Sequence, residues 1–138
     1  MRETAKEYGM DIYEFGRYLQ DNLDIDRALD QKIALYGREH TSFVFESRLA
    51  WYWIPDAFHI VLRASEDIRM ARIAQRENMT LEQAREMTLE REATNLSRYT
   101  LLYPEIVFPP KDTQFDLVID TDDKTPDEIV TEILTRLR

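Results

Sequence analysis

Five arginines carry the most pointed chemistry in this sequence. Arg69, Arg72 and Arg76 fall at spacings of three and four, which places them on one face of a helix. Arg91 and Arg98 lie seven apart, two helical turns, and again share a face. The planar fork of arginine donates in pairs to phosphate oxygens. Phosphoryl transfer asks mainly for positive charge positioned around a moving phosphoryl group. Two such helices joined by the polar turn Asn78-Met79-Thr80 are expected to close as a lid. A solvated basic face has the same spacing, so the pattern alone leaves both readings open. The remaining candidates carry less. His40 and His59 have no histidine neighbour, and His59 within an apolar run reads as a core or edge residue. The acids between Glu82 and Glu92 read as a solvated helix face, and no metal ligands are assigned. Trp51 and Trp53, either side of Tyr52, suit stacking on a base or packing in a core.

Four helix starts are legible among the elements that must position these arginines. Asp11 followed by Glu14 has the spacing at which two side chains satisfy each other's orphan amides. Ser65 is placed to cap a helix over 66–77, and Thr80 with Gln83 opens a longer one toward Tyr99. Thr125 with Glu128 opens the last, with Pro126 at the first helical position. Three short runs, Phe43 to Phe45, His59 to Leu62 and Phe115 to Ile119, are rich in β-formers and too short for helices. Alternation of strands and helices predicts a parallel sheet, of at least three strands, with helices on its faces. Ligands in such folds sit beyond the carboxyl ends of the strands, where Glu46-Ser47-Arg48 and Asp120 to Asp123 lie.

The 138 residues fit one domain with a substantial core. No cysteine is present, which excludes disulfides and thiolate metal sites. The net charge of −9 disfavours bulk nucleic acid and anionic membrane surfaces as partners. No signal-like segment or span-length apolar run appears, so a cytoplasmic location is expected. Most of the positive charge is arginine rather than lysine, which suits a small anionic ligand. Nothing in the sequence sets an oligomeric state.

Several segments, taken in order, resemble the cytidylate kinase family, in particular its short archaeal-like branch. They are Arg2 to Met10, then Phe45-Glu46-Ser47-Arg48-Leu49-Ala50, Ile54-Pro55-Asp56-Ala57, and the strand ending Leu62-Arg63-Ala64-Ser65. Ile68 to Glu77 is similar to the helix that leads into that family's lid, and Arg91-Glu92 with Arg98-Tyr99 to the helix that leads out. Phe115 to Thr121 and Thr125-Pro126 resemble its last strand and final helix. The resemblance implies an α/β fold: a three-layer parallel sheet of the P-loop nucleoside-monophosphate kinase type, in one domain over 1–138, with a helical lid over about 66–99. It implies transfer of a phosphoryl group from ATP, with magnesium, to CMP or dCMP. Arg2 and Arg48 match arginines that hold the acceptor monophosphate. Arg72 and Arg76 match arginines near the donor phosphates, and Arg91 and Arg98 match those that clamp the transferring group. Ser47 and Trp51 stand where the family usually has glycine, and Asn95 where an acid is common.

The motif G-x-x-x-x-G-K-[ST] is absent, and Gly9, Gly16 and Gly37 lie far apart. That loop supplies the amides, the lysine and the magnesium-binding hydroxyl of such kinases. In the family it precedes the segment resembled by Arg2 to Met10, on the central strand of the sheet. The fold is therefore expected to be incomplete at the N-terminus, with the 138 residues alone inactive in phosphoryl transfer. The alternative is a non-catalytic remnant serving as a nucleotide- or protein-binding module.

Overall fold

The computed structural model describes residues 1–138. Helices α1 (Arg2–Glu7), α2 (Ile12–Gln20), α3 (Leu23–Glu39) and α4 (Ala50–Trp53) precede strand β1 (Ile60–Arg63). Helices α5 (Glu66–Glu77) and α6 (Leu81–Leu102), a short 3-10 turn, strand β2 (Leu117–Asp120) and helix α7 (Pro126–Leu137) follow. The chain divides into two compact units, one of residues 1–57 and 88–110, the other of 58–87 and 111–138. No helix is long and apolar enough to cross a membrane.

The helix starts follow the local chemistry of their caps. Asp11 Oδ1 accepts from the amides of Tyr13 and Glu14 at 2.8 Å, while Glu14 Oε2 accepts from Asp11 N–H at 3.0 Å. Thr80 and Gln83 exchange the same pair of bonds, as do Thr125 and Glu128. The Thr125 bonds hold the Glu128 carboxyl below its ordinary range. Ser65 is the exception, since its hydroxyl makes no cap bond. Its amide instead donates to Asp122 Oδ1 at 2.7 Å, so the loop after β2 fastens the start of α5. Asp122 thus ties the end of β2 to the start of α5.

In the second unit β1 and β2 pair in parallel, Ile60 opposite Leu117 and Arg63 opposite Asp120. Parallel pairing of these two runs matches the sequence expectation, but the predicted third strand does not form. Residues 43–45 belong to no sheet. The segment still alternates as extended chain does. Phe43 and Phe45 pack on Tyr36 of α3 at ring distances of 5.5 and 5.2 Å, while Val44 between them is fully exposed. With no strand beside it, its β-propensity has no ladder to enter. A two-stranded sheet therefore stands where three layers and at least three strands were expected. Along α5 the buried residues are Met70 and Ala74.

The first unit holds two apolar clusters. Ala5, Phe15 and Leu19 form one, joined by Met10, Tyr18, Ile25 and Leu29. Leu49, Tyr99, Leu102 and Tyr103 form the other, joined by Trp53 among others. Trp53 meets Tyr103 edge-on at 5.4 Å, and Trp51 Nε1 donates to Arg48 O at 3.1 Å. Core packing accounts for Trp53. Gly37 sits on α3 where a Cβ would fall 2.7 Å from Cγ2 of buried Ile54. That contact involves atoms next to the Ile54 backbone, which cannot swing clear. Gly37→Ala is expected to destabilise by about 1–2 kcal/mol even after the helix-propensity gain of alanine. A urea melt checks this, and a variant as stable as the parent would show that α3 and α4 are not packed this closely.

Candidate functional site

One recess in the first unit gathers the charged groups most suited to an anion. Ile12, Tyr13, Gly16 and Arg17 of α2 line it with Glu90, Arg91, Thr94, Asn95 and Arg98 of α6, and Met1 completes it. On each helix those positions repeat at three and four, so the lining is one face of α2 and one face of α6. Three guanidinium groups border the recess against one carboxylate. Arg17 and Glu90 pair across it at 3.1 Å with both side chains about half exposed, a contact worth little by itself. Arg91 places its Cζ 5.9 Å from the centre of the Tyr13 ring.

Arg98 is the most constrained of these groups, at 1% exposure. Its Nε donates to Asp26 Oδ2 at 2.7 Å and its Nη1 to Gly16 O at 3.2 Å. Its guanidinium also lies over the Tyr99 ring, 5.6 Å from the centre. Nη2 alone is buried without an acceptor in the protein, as is Asn95 Nδ2 one turn earlier. Two of the three nitrogens of Arg98 therefore serve the fold, and the third is left without a partner.

Behind Arg98 lies a buried acidic pair that the sequence reading did not single out. Asp26, Asp30 and Ala34 are the buried residues of α3, spaced by four. Tyr103 donates its hydroxyl to Asp30 Oδ2 at 2.8 Å. Burial pushes the Asp30 carboxyl up to about 6, with the nearby Asp26 charge adding to the rise and the Tyr103 and Arg98 interactions opposing it. Burial also raises Asp26, and Arg98 draws it part of the way back. Tyr99 and Tyr103 are raised as well, chiefly by burial. A stripe of acids at helical spacing reads as a solvated face in sequence, because nothing local says that an arginine 72 residues away will meet it. The same polar inner face hides the α3 helix from apolar periodicity.

The raised Asp30 makes a signed prediction. Folded Asp30 keeps its proton to higher pH than the unfolded chain, whose carboxyl titrates near 3.8. Its favourable contribution is complete below that value and is lost as the pH rises through about 6. Asp30→Asn keeps an acceptor for Tyr103 without the buried charge, and should stabilise by roughly 1–3 kcal/mol at pH 7. Urea melts between pH 4 and pH 7 should show a smaller loss of stability in the variant than in the parent. Equal pH slopes would refute the assignment.

The other arginines singled out by sequence are dispersed between the two units. Arg2 on α1 and Arg48 before α4 are exposed residues of the first unit, outside the lining of the recess. The charge of Arg48 is felt by the Tyr99 hydroxyl. In the second unit Arg72 Nη1 donates to Thr121 Oγ1 at 2.9 Å and Nη2 to Thr121 O at 2.6 Å, joining α5 to the end of β2. Arg76 pairs with its neighbour Glu77 at 2.9 Å. Arg69 is exposed. The residues of the expected lid, 66–99, form two helices, with 66–87 in the second unit and 88–99 in the first. Arg17, Tyr13 and Glu90 are site residues that sequence reasoning missed. The signal available was the α2 repeat of 12, 13, 16 and 17, which offers no chemistry until α6 lies against it.

Neither a triphosphate seat nor a magnesium seat is built from these residues. No glycine-rich loop of the G-x-x-x-x-G-K-[ST] form is present. No three acidic or histidine side chains gather as a divalent cation would require.

The model of the cytidylate kinase-like family matches residues 1–123. A cytidylate kinase of Methanobrevibacter smithii is 32% identical over 137 residues, which cover 99% of this chain and 78% of that protein. One of Methanopyrus kandleri is 36% identical, covering 92% of this chain and 70% of that one. Another, from Pyrobaculum calidifontis, is 39% identical over 87% of this chain and 65% of its own length. No solved structure matches the chain. An ordered match from the first residue almost to the last helix, over the elements that line the recess, shows that the chain belongs to the cytidylate kinase-like family.

Proposed function

We propose that this chain carries the acceptor-binding and lid parts of a nucleoside-monophosphate kinase that moves a phosphoryl group from ATP to CMP or dCMP. The observation that supports it best is the recess of the first unit, where Arg91 and Arg98 of α6 face Arg17 of α2. Arginines held on rigid helices around a concave site stabilise charge as it moves onto a transferring group, without reorganising during the reaction. In this reading Arg91 makes the variable contact to the phosphoryl group. Arg98 offers its single remaining nitrogen and otherwise anchors α6 to α2 and α3. Arg2 and Arg48 hold the acceptor phosphate, and Arg72 and Arg76 approach the donor phosphates. Family membership makes ATP and magnesium the expected cofactors, with the ion shielding the donor phosphates when bound. The residues of this chain seat neither, so no step here is routed through them.

Catalysis accordingly requires a phosphate loop joined to this chain. The 138 residues alone should bind CMP or dCMP and show no ATP-dependent phosphorylation. A chimera carrying a strand and a glycine-rich phosphate loop ahead of Met1 should phosphorylate CMP. Calorimetry with CMP, dCMP, UMP and AMP, together with a coupled kinase assay, provides the test. Binding without turnover in the chimera would favour the non-catalytic binding module instead. Negligible binding of all four nucleotides to the folded chimera would defeat the nucleotide reading altogether.

A further inference from the structure

Asn95 and Arg98 lie three apart on α6 and both line the recess. Each is almost wholly buried, at 4% and 1% exposure. Asn95 Nδ2 and Arg98 Nη2 each lack an acceptor in the protein. A buried N–H without an acceptor works against folding, and one beside a recess is placed where a bound group can supply the missing partner. Arg98 cannot turn Nη2 elsewhere, because Asp26 Oδ2 and Gly16 O hold its other two nitrogens at 2.7 and 3.2 Å. Two unpartnered N–H groups thus stand three residues apart on one helical face, that of Arg98 held in place by its other bonds.

We propose that Asn95 is a specificity-determining residue of this recess, donating together with Arg98 Nη2 to an oxygen acceptor on the bound ligand. The inference rests on the recess being a nucleotide site and adds which ligand atoms it selects. A site made of two donors favours a carbonyl or phosphoryl oxygen and rejects a hydroxyl or amine that also needs to donate. Within a nucleoside monophosphate the acceptor is either a carbonyl of the base or an oxygen of the phosphate. Asp26 is the positioning residue, since it fixes the plane of the Arg98 fork and touches no ligand.

The test compares the full chain with Asn95→Ala and Asn95→Asp. Asparagine and aspartate have the same shape, but aspartate has no N–H to donate. Thermal unfolding without ligand and calorimetry with CMP, cytidine and inorganic phosphate are measured on all three proteins. Asn95→Ala should unfold at the parent temperature or above, because it deletes an unpartnered buried amide. Its affinity for the ligand that the parent binds should fall about tenfold, and that of Asn95→Asp by about tenfold or more. Loss confined to ligands with the phosphate identifies a phosphoryl oxygen, and loss shared by cytidine identifies a base carbonyl. Parental CMP affinity in both variants would overturn the role of Asn95 and leave the kinase reading intact. Phosphate binding that weakens in Asn95→Asp, with no added affinity for CMP, would uphold the donor pair and remove the nucleotide reading. A lower unfolding temperature for Asn95→Ala with unchanged binding would mark a structural amide and overturn the inference. Failure of the parent to bind any of the three ligands would also overturn it.

Discussion

Asp26→Ala should cost about 3–5 kcal/mol of folding stability, the range for removing one partner of a buried ion pair. Both side chains of the Asp26–Arg98 pair are 1% exposed. Deleting Asp26 leaves the buried guanidinium of Arg98 with only Gly16 O and the Tyr99 ring as its close contacts. Because a domain is stable by only about 5–15 kcal/mol, the loss should be visible as partial unfolding of the first unit at 37 °C. The pair itself is less favourable than its removal suggests, since burial already raises the Asp26 carboxyl above its ordinary range despite Arg98. Replacing both residues, Asp26→Leu with Arg98→Met, should therefore recover most of the lost stability, as apolar substitution of buried pairs often does. The double variant should still fail to bind nucleotide, because it lacks Nη2. Urea denaturation of the two single variants and the double variant makes the thermodynamic cycle. Additive effects, or a cost below about 1 kcal/mol for Asp26→Ala, would show that the pair is solvated rather than buried.

In a loop-bearing, active chimera, Arg91→Ala should lower kcat by about 10²–10³-fold, the usual cost of removing one preorganised donor from a developing charge. Arg48→Ala should act differently. It should weaken binding of the acceptor ten- to a hundredfold, roughly the worth of a lost charge-assisted contact, with a smaller change in kcat. The contrast follows from where the two residues lie. Arg91 is half-buried on the α6 face that lines the recess, against the Tyr13 ring. Arg48 is exposed, just ahead of α4. An interaction made equally in ground and transition states alters KM, and one made mainly in the transition state alters kcat. Steady-state kinetics with CMP as the varied substrate separates them. A pure KM effect for Arg91→Ala would remove it from the phosphoryl-clamping role and leave it as an acceptor-binding residue.

What the sequence determined on its own is what depends on neighbours in the chain. The reciprocal caps at Asp11, Thr80 and Thr125 are written in side chains three residues apart, and all three helices start there. Helix α5 begins and ends at the expected residues although Ser65 does not cap it, because its acids stand first, its arginine last, and Asn78 closes it in the left-handed region. The apolar runs at 59–62 and 115–119 contain most of two strands, since β-formers bounded by turns need little further information. The shared face of Arg91 and Arg98 was also legible, being a property of one helix.

Tertiary structure alone decided the rest, because those outcomes depend on groups distant in sequence. Residues 43–45 have the composition of a strand, but a ladder requires a partner, so they remain extended chain packed against Tyr36. Asp26 and Asp30 look like solvated acids until α6 brings Arg98 and Tyr103 to them from more than seventy residues away. The same contact changed the role of Arg98 from a free clamp to an anchored one, with a single nitrogen left over. Burial is the physical reason in each case: a charge or amide that costs little in water must find a partner when water is excluded, and no local pattern names that partner.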